Sequence, residues 1–211
     1  MHNSTRSRKG EKGAQQSGLD ALYSLFMAAP DHADRLVSDS LPNLREILRQ
    51  EGRVVAVYKK ALCLLLEMVK QQFHSEIIES DIVADLVKWS RQVWSPVDIS
   101  YNTDDTCSPR HSITDEECKE FVFEICWLIA QKSDDGRRAL VDANILPELS
   151  SLASSQKALE VLSACNILKA LAHSGTFRNA IISAGLKKSM ENITRYNFSA
   201  FSSLTISDVI R

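Results

Sequence analysis

The chain has 211 residues, of which 44% are hydrophobic and 25% charged, enough apolar material for one domain or one run of repeats. Its formal net charge of -2 gives no overall electrostatic pull toward nucleic acid, and no apolar run approaches the roughly 20 residues that a membrane helix needs. The 7 glycines and 5 prolines are few, which suits long helices and short turns rather than a loop-rich fold.

Residues 1–16 are polar and basic, with Arg6, Arg8, Lys9 and Lys12, and predict a disordered basic tail. Helical spacing begins with Leu19, Leu22, Leu25 and Phe26. Pro30-Asp31 then stops that helix and caps a short one reaching about Ser38, and Leu41-Pro42 opens another that carries Leu44, Ile47 and Leu48. Val54 to Gln72 reads as a long helix, apolar on most faces and therefore sandwiched between neighbours. After a helical segment from His74 to Ser90 comes a break over 93–114 with Pro96, Pro109 and Asp104-Asp105. A second long helix is expected from about Asp115 to Lys132, where Thr114 and Glu117 have capping-box spacing. A third is expected from about Lys157 to His173, and the stretch 196–211 is Ser-rich with a weak helix at Leu204 to Ile210.

Three segments between the long helices repeat one pattern: His74 to Ser90, Arg137 to Ala153 and Arg178 to Thr194. Each has an aliphatic pair (Ile77-Ile78, Leu140-Val141, Ile181-Ile182), then a turn residue (Asp81, Asn144, Gly185), then an amphipathic run. Leu36-Val37 through Leu48 is a degenerate fourth copy that fits if one residue is deleted after Ser40. The last two copies are offset by 41 residues, a period that signals stacked helical repeats. The copies beginning at His74 and Arg137 lie 63 residues apart, and the 22-residue excess matches the segment 93–114, read as a loop inserted in one repeat. Such a loop leaves a stack intact, because closure costs only about 0.6 kcal/mol per doubling of length.

This unit of about 41 residues with three helices resembles the armadillo repeat. Ala21 to Leu36 and Ile167 to Ile182 are similar to the family's passage from a third helix into the next first helix, Gly185 matches its glycine position, and Pro147 sits near its usual proline in the second helix. The resemblance covers about residues 17–195, with HEAT repeats the nearest structural alternative. It implies an all-α, right-handed α-solenoid of about three to four armadillo-like three-helix repeats. In peptide-binding members the third helix carries a Trp and, one turn later, an Asn. Here Leu64, Glu124 and Asn166 fall at the first position and Met68, Leu128 and Ala170 at the second, so neither ladder is present.

The same alignment places Lys60, Glu67, Glu120, Glu124, Trp127, Asn166 and Lys169 on the exposed stripe of the third helices, as candidate partner-binding residues. Glu117, Glu120 and Glu124, at spacings of three and four, predict an acidic helix face suited to a basic or helical partner segment. Trp89 is expected in the core, whereas Trp94, beside the inserted loop, is an interface candidate. Ser95 and Ser108 each precede a proline and are candidate phosphorylation sites in that loop. The 5 cysteines include no CxxC pair, and Cys63, Cys126 and Cys165 fall on helical patterns as core residues. With no apolar leader at the N-terminus, they predict an intracellular, cytoplasmic or nuclear setting. His32, His74 and His173 are expected as surface or capping residues at helix junctions. Cys107, His111 and Cys118 fall short of the four ligands of a structural zinc site, so no metal or cofactor is predicted.

No GxGxxG, P-loop, HExxH or GxSxG pattern occurs. The expected function is therefore a non-catalytic interaction module or adaptor, docking a partner segment on the concave third-helix face or an open end. The alternative is a structural assembly subunit that self-associates through uncapped ends, since the N-terminal helix with Leu22, Leu25, Phe26 and Met27 does not look like a full cap.

Overall fold

Whether two neighbouring helical segments fuse or separate is decided here by single residues at the turns. The computed structural model describes the backbone of residues 4–50, 55–91 and 111–186, and side-chain burial for 13–50, 55–91 and 117–186. Ten α-helices occur among the described residues, and no strand. They are α1 (Ser4–Ala28), α2 (Ala33–Arg49), α3 (Val55–Lys70), α4 (His74–Glu79), α5 (Ile82–Ser90), α6 (His111–Lys132), α7 (Asp134–Asp142), α8 (Leu146–Ala153), α9 (Ala158–Ala172) and α10 (Gly175–Ser183). A 3-10 turn, Pro30–His32, links α1 to α2. The starts of α2, α4, α7 and α10 are spaced by 41, 60 and 41 residues.

The three turn residues read from the sequence all adopt left-handed backbone: Asp81 at φ 58°, Asn144 at φ 62° and Gly185 at φ 72°. In each turn the residue's N–H donates to the carbonyl of the second member of the aliphatic pair, Ile78 (3.2 Å), Val141 (2.8 Å) or Ile182 (3.0 Å). The first member, Ile77, Leu140 or Ile181, is buried. A left-handed residue ends the first helix while keeping its last carbonyls paired, so the second helix leaves at a new angle. Asn and Asp tolerate this conformation better than other L-residues, and Gly takes it freely.

Three expectations need correction. Residues 4–16 are helical backbone within α1, not a disordered tail. Arg, Lys, Glu and Gln are good helix formers, and no proline interrupts their extension of the packed segment that begins at Leu19. Helix α2 runs unbroken from Ala33 to Arg49 with Pro42 inside it, rather than as two helices. Ser40 stands where the other copies have Asp81, Asn144 and Gly185, and Ser does not readily take left-handed backbone. Its hydroxyl instead donates to the Val37 carbonyl at 3.2 Å. Finally, α6 starts at His111, inside the segment expected as an inserted loop and ahead of the expected Thr114 cap. The rest of that segment, with Trp94, Ser95 and Ser108, lies outside the described residues.

The helices form two compact units, residues 1–122 and 123–211. In the first, α3 packs on α1, α2 and α4, and α2 packs on α5. Its core includes Phe26, Val37, Leu44, Leu62, Leu65, Ile77 and Leu86. Phe26 meets Phe73 edge-on (6.0 Å between centroids), and the buried Trp89 stacks on Tyr58 (6.2 Å). Arg45 and Arg49 of α2 both donate to Asp85 of α5 at 3.0–3.1 Å, and Arg45 also reaches Asp81 at 3.1 Å. That pair of arginines ties the left-handed turn to α2.

In the second unit, α9 packs on α8 and α10. The Ser133 Oγ accepts from the Gly136 N–H at 2.9 Å and caps α7. A Cβ on Gly136 would run into the Ile129 carbonyl and lie 2.8 Å from that residue's side chain, so only glycine allows this approach of α7 to α6. Arg137, buried beside Asp134, donates to the Ala170 carbonyl (3.0 Å), and Arg178 donates to the Ala172 carbonyl (3.0 Å). Two arginines thus satisfy carbonyls at the end of α9, where cations also suit the helix dipole.

Gly136→Ala is expected to cost about 1–3 kcal/mol, the range for overpacking. Asn144→Ala is expected to cost about 1 kcal/mol through left-handed strain, whereas Asn144→Gly preserves stability. Urea midpoints at constant m-value measure all three.

Candidate functional site

The long helices α3, α6 and α9 carry the residues singled out as a partner-binding stripe. On α3, Lys60 and Glu67 are half-buried; on α6, Glu120 is exposed while Glu124 and Trp127 are half-buried; on α9, Asn166 is half-buried and Lys169 exposed. All seven thus have solvent access on the helix predicted for them. Lys60 to Glu120 belong to the first unit and Glu124 to Lys169 to the second.

The charges on this stripe are partly engaged within the protein. The Lys60 ammonium donates to Asp20 of α1, and Lys70 donates to Glu67 at 3.2 Å. Glu117, expected as the first member of an acidic face on α6, accepts from Lys59 of α3. Lys59 is held above its ordinary range by that bond, against partial desolvation. The acidic face therefore begins with a compensated carboxylate. Such long-range pairs cannot be read from spacing within one helix.

Sequence reasoning missed Tyr23 and gave Met27 only as part of an uncapped end, not of a binding strip. Both are exposed on α1, and the Nε2 of Gln71, in the turn just after α3, sits 3.9 Å from the Met27 sulfur. Their signal was the Asp20, Tyr23, Met27 spacing, which marks one helix face beside the Leu19, Leu22, Phe26 core face.

No protein-family model matches the sequence, and no curated protein matches it. Among solved structures the chain is similar to an engineered protein at 16% identity and TM-score 0.66, covering 93% of this chain and 73% of that one. It is also similar to a computationally designed armadillo repeat protein for modular peptide recognition, at 15% identity and TM-score 0.62, covering 92% and 71%. A further designed armadillo repeat protein aligns at 16% identity and TM-score 0.59, over 85% of this chain and 63% of its own length. The fold is an armadillo-like helical repeat.

In armadillo terms, α3, α6 and α9 are third helices, α4, α7 and α10 first helices, and α5 and α8 second helices. Three of the six positions aligned with the family's ladder residues are closed to a ligand. Leu64, Met68 and Ala170 are buried in the packing between helices, and Glu124, Leu128 and Asn166 are half-buried. The ladder register on α3 has been given to the core, so the exposed stripe there is Lys60, Cys63 and Glu67 instead.

The remaining titratable groups offer little chemistry. Among the described residues, no group of three or more His, Cys, Asp or Glu side chains could hold a metal ion, and no helix is long and apolar enough to cross a membrane. His74, expected at the surface, is buried at the start of α4, and its Nε2 finds no hydrogen-bond partner among the described residues. It holds the place that Arg137 and Arg178 hold in their copies of the motif, with a shorter side chain. Cys63 is half-buried rather than core, while Cys118, Cys126 and Cys165 are buried. Burial pushes the Cys126 thiol up to about 12 and the Cys165 thiol up to about 11, so both stay protonated and poorly nucleophilic.

These shifts predict alkaline sensitivity. Below the ordinary thiol value of 9.0, folded and unfolded chains both keep the Cys126 proton. Between 9.0 and about 12 the unfolded chain releases it and the folded chain does not, so stability falls as pH rises. The contribution of Lys59 acts in the same direction, being present below 10.5 and lost as pH rises beyond it. Thermal melts at about pH 7.5 and pH 10 should show a lower Tm at the higher pH. Cys126→Ala should show a smaller drop than wild type.

Proposed function

We propose that this protein is a non-catalytic interaction module that docks a segment of a protein partner on the solvent-facing side of its third helices. The observation that carries the reading is the exposure of α3, α6 and α9. These helices present Lys60, Glu67, Glu120, Glu124, Trp127, Asn166 and Lys169 to solvent while burying their opposite faces. Within each unit such a helix offers side chains at regular helical spacing, suited to a partner segment rather than to a small substrate. The similarity to designed armadillo proteins for modular peptide recognition supports the same use of the fold. Fold alone does not carry function; the exposed stripe supplies the local feature.

A photo-reactive amino acid placed in living cells separates this surface from the others. Crosslinks to one partner are expected from positions 67 and 166 on third helices. None is expected from Ala84 or Ser151, both exposed on second helices. Capture of the same partner from Ala84 or Ser151, or no capture from either third helix, would refute the assignment.

A further inference from the structure

In the first unit, α1 and α3 lie side by side. Two contacts fix their relation: Lys60 Nζ donates to Asp20, and Gln71 Nε2 approaches Met27 Sδ at 3.9 Å. Both contacts climb both helices together, so α1 and α3 run parallel with their solvent sides adjacent. Asp20, Tyr23 and Met27 share one face of α1 at helical spacing. Beside them stand the half-buried Lys60, Cys63 and Glu67 of α3.

The charges of this strip cancel within the chain. Asp20 pairs with Lys60, and Glu67 pairs with Lys70. An incoming basic or acidic segment therefore gains no unbalanced field here, and would have to compete with an existing ion pair for each charge. The apolar side chains are the reverse case. Tyr23 is 37% exposed and Met27 is 49% exposed, one helical turn apart. Tyr offers rigid contact area with a polar tip, and Met moulds to irregular partners, so both are favoured where one surface meets another.

We propose that the α1–α3 strip takes the apolar face of an uncharged amphipathic partner helix, with Tyr23 and Met27 as its anchors. The proposal rests on the third-helix docking reading and adds the partner's chemistry. One helical turn is about 5.4 Å, the same for α1 and for a partner, so partner side chains at i and i+4 interdigitate with Tyr23 and Met27. Recognition by apolar fit between compensated charges is insensitive to salt, unlike recognition by an acidic face.

The test pans a phage-displayed library of random 16-residue peptides against the full chain, then measures the enriched peptides by fluorescence anisotropy. The expected winners carry Leu, Met or Phe at i and i+4 with little net charge, and bind about equally at 50 and 300 mM salt. Tyr23→Ser with Met27→Ser should weaken them at least about tenfold, the loss of two anchor contacts. Tyr23→Phe with Met27→Leu should keep them, and Ala84→Arg with Ser151→Arg, both on second helices, should leave them unchanged. A Glu120→Arg with Glu124→Arg reversal tests the acidic alternative. Circular dichroism confirms that each variant folds, as expected for exposed positions. If the winners are rich in Lys and Arg, salt-sensitive and lost on the Glu120/Glu124 reversal alone, the partner chemistry proposed here is wrong while third-helix docking stands. Winners indifferent to every variant overturn both. An empty selection also counts against docking itself.

Discussion

Left-handed backbone at Asp81, Asn144 and Gly185 is the constraint on which the repeated helices depend. At each of these points a first helix ends and its last carbonyls are satisfied by the turn, and after Asp81 and Asn144 a second helix departs. The preceding aliphatic residue then points into the core in every copy. Where the corresponding position is Ser40, the two helices merge into α2. One residue's tolerance for positive φ thus separates a three-helix unit from a two-helix one. The cost of left-handed backbone for an ordinary L-residue, about 1–2 kcal/mol, is large enough to decide this locally.

Packing reinforces the turns with charge and close approach. Arg45 and Arg49 hold the Asp81–Asp85 segment to α2, so the turn residue with the poorest claim to left-handed backbone is also the one tied down from outside. In the second unit, Gly136 lets α7 come against α6, and Arg137 and Arg178 close the end of α9. His74 takes the same place in its copy with a shorter side chain, and its buried Nε2 has no partner among the described residues. The repeats are therefore alike in their turns and unlike in how their first helices are anchored.

The third helices carry the functional reading, and ion pairing changes their character. A face that looks charged residue by residue is partly neutral once Lys59, Lys60 and Lys70 are matched with Glu117, Asp20 and Glu67. Exposed pairs of this kind contribute little to stability, because solvent screens them. Their larger consequence is for recognition: they remove the net field that would select a charged partner, and leave exposed apolar side chains to supply the contact.

The helical class, the three turn residues and the buried aliphatic members were legible from the chain alone. Spacing of 3.6 and tolerance of left-handed backbone are properties of the local sequence, and a repeated motif states them three times. The burial of Trp89, Cys126 and Cys165 followed from the same periodicity. Other features belong only to the tertiary structure. The burial of His74, the half-exposure of Cys63, the pairing of Glu117 with Lys59 and the exposure of Tyr23 and Met27 depend on which helix lies beside which. A local pattern shows that a helix has an apolar face. Only packing decides how wide the covered face is, and which charged side chains meet across 36 to 58 residues of chain.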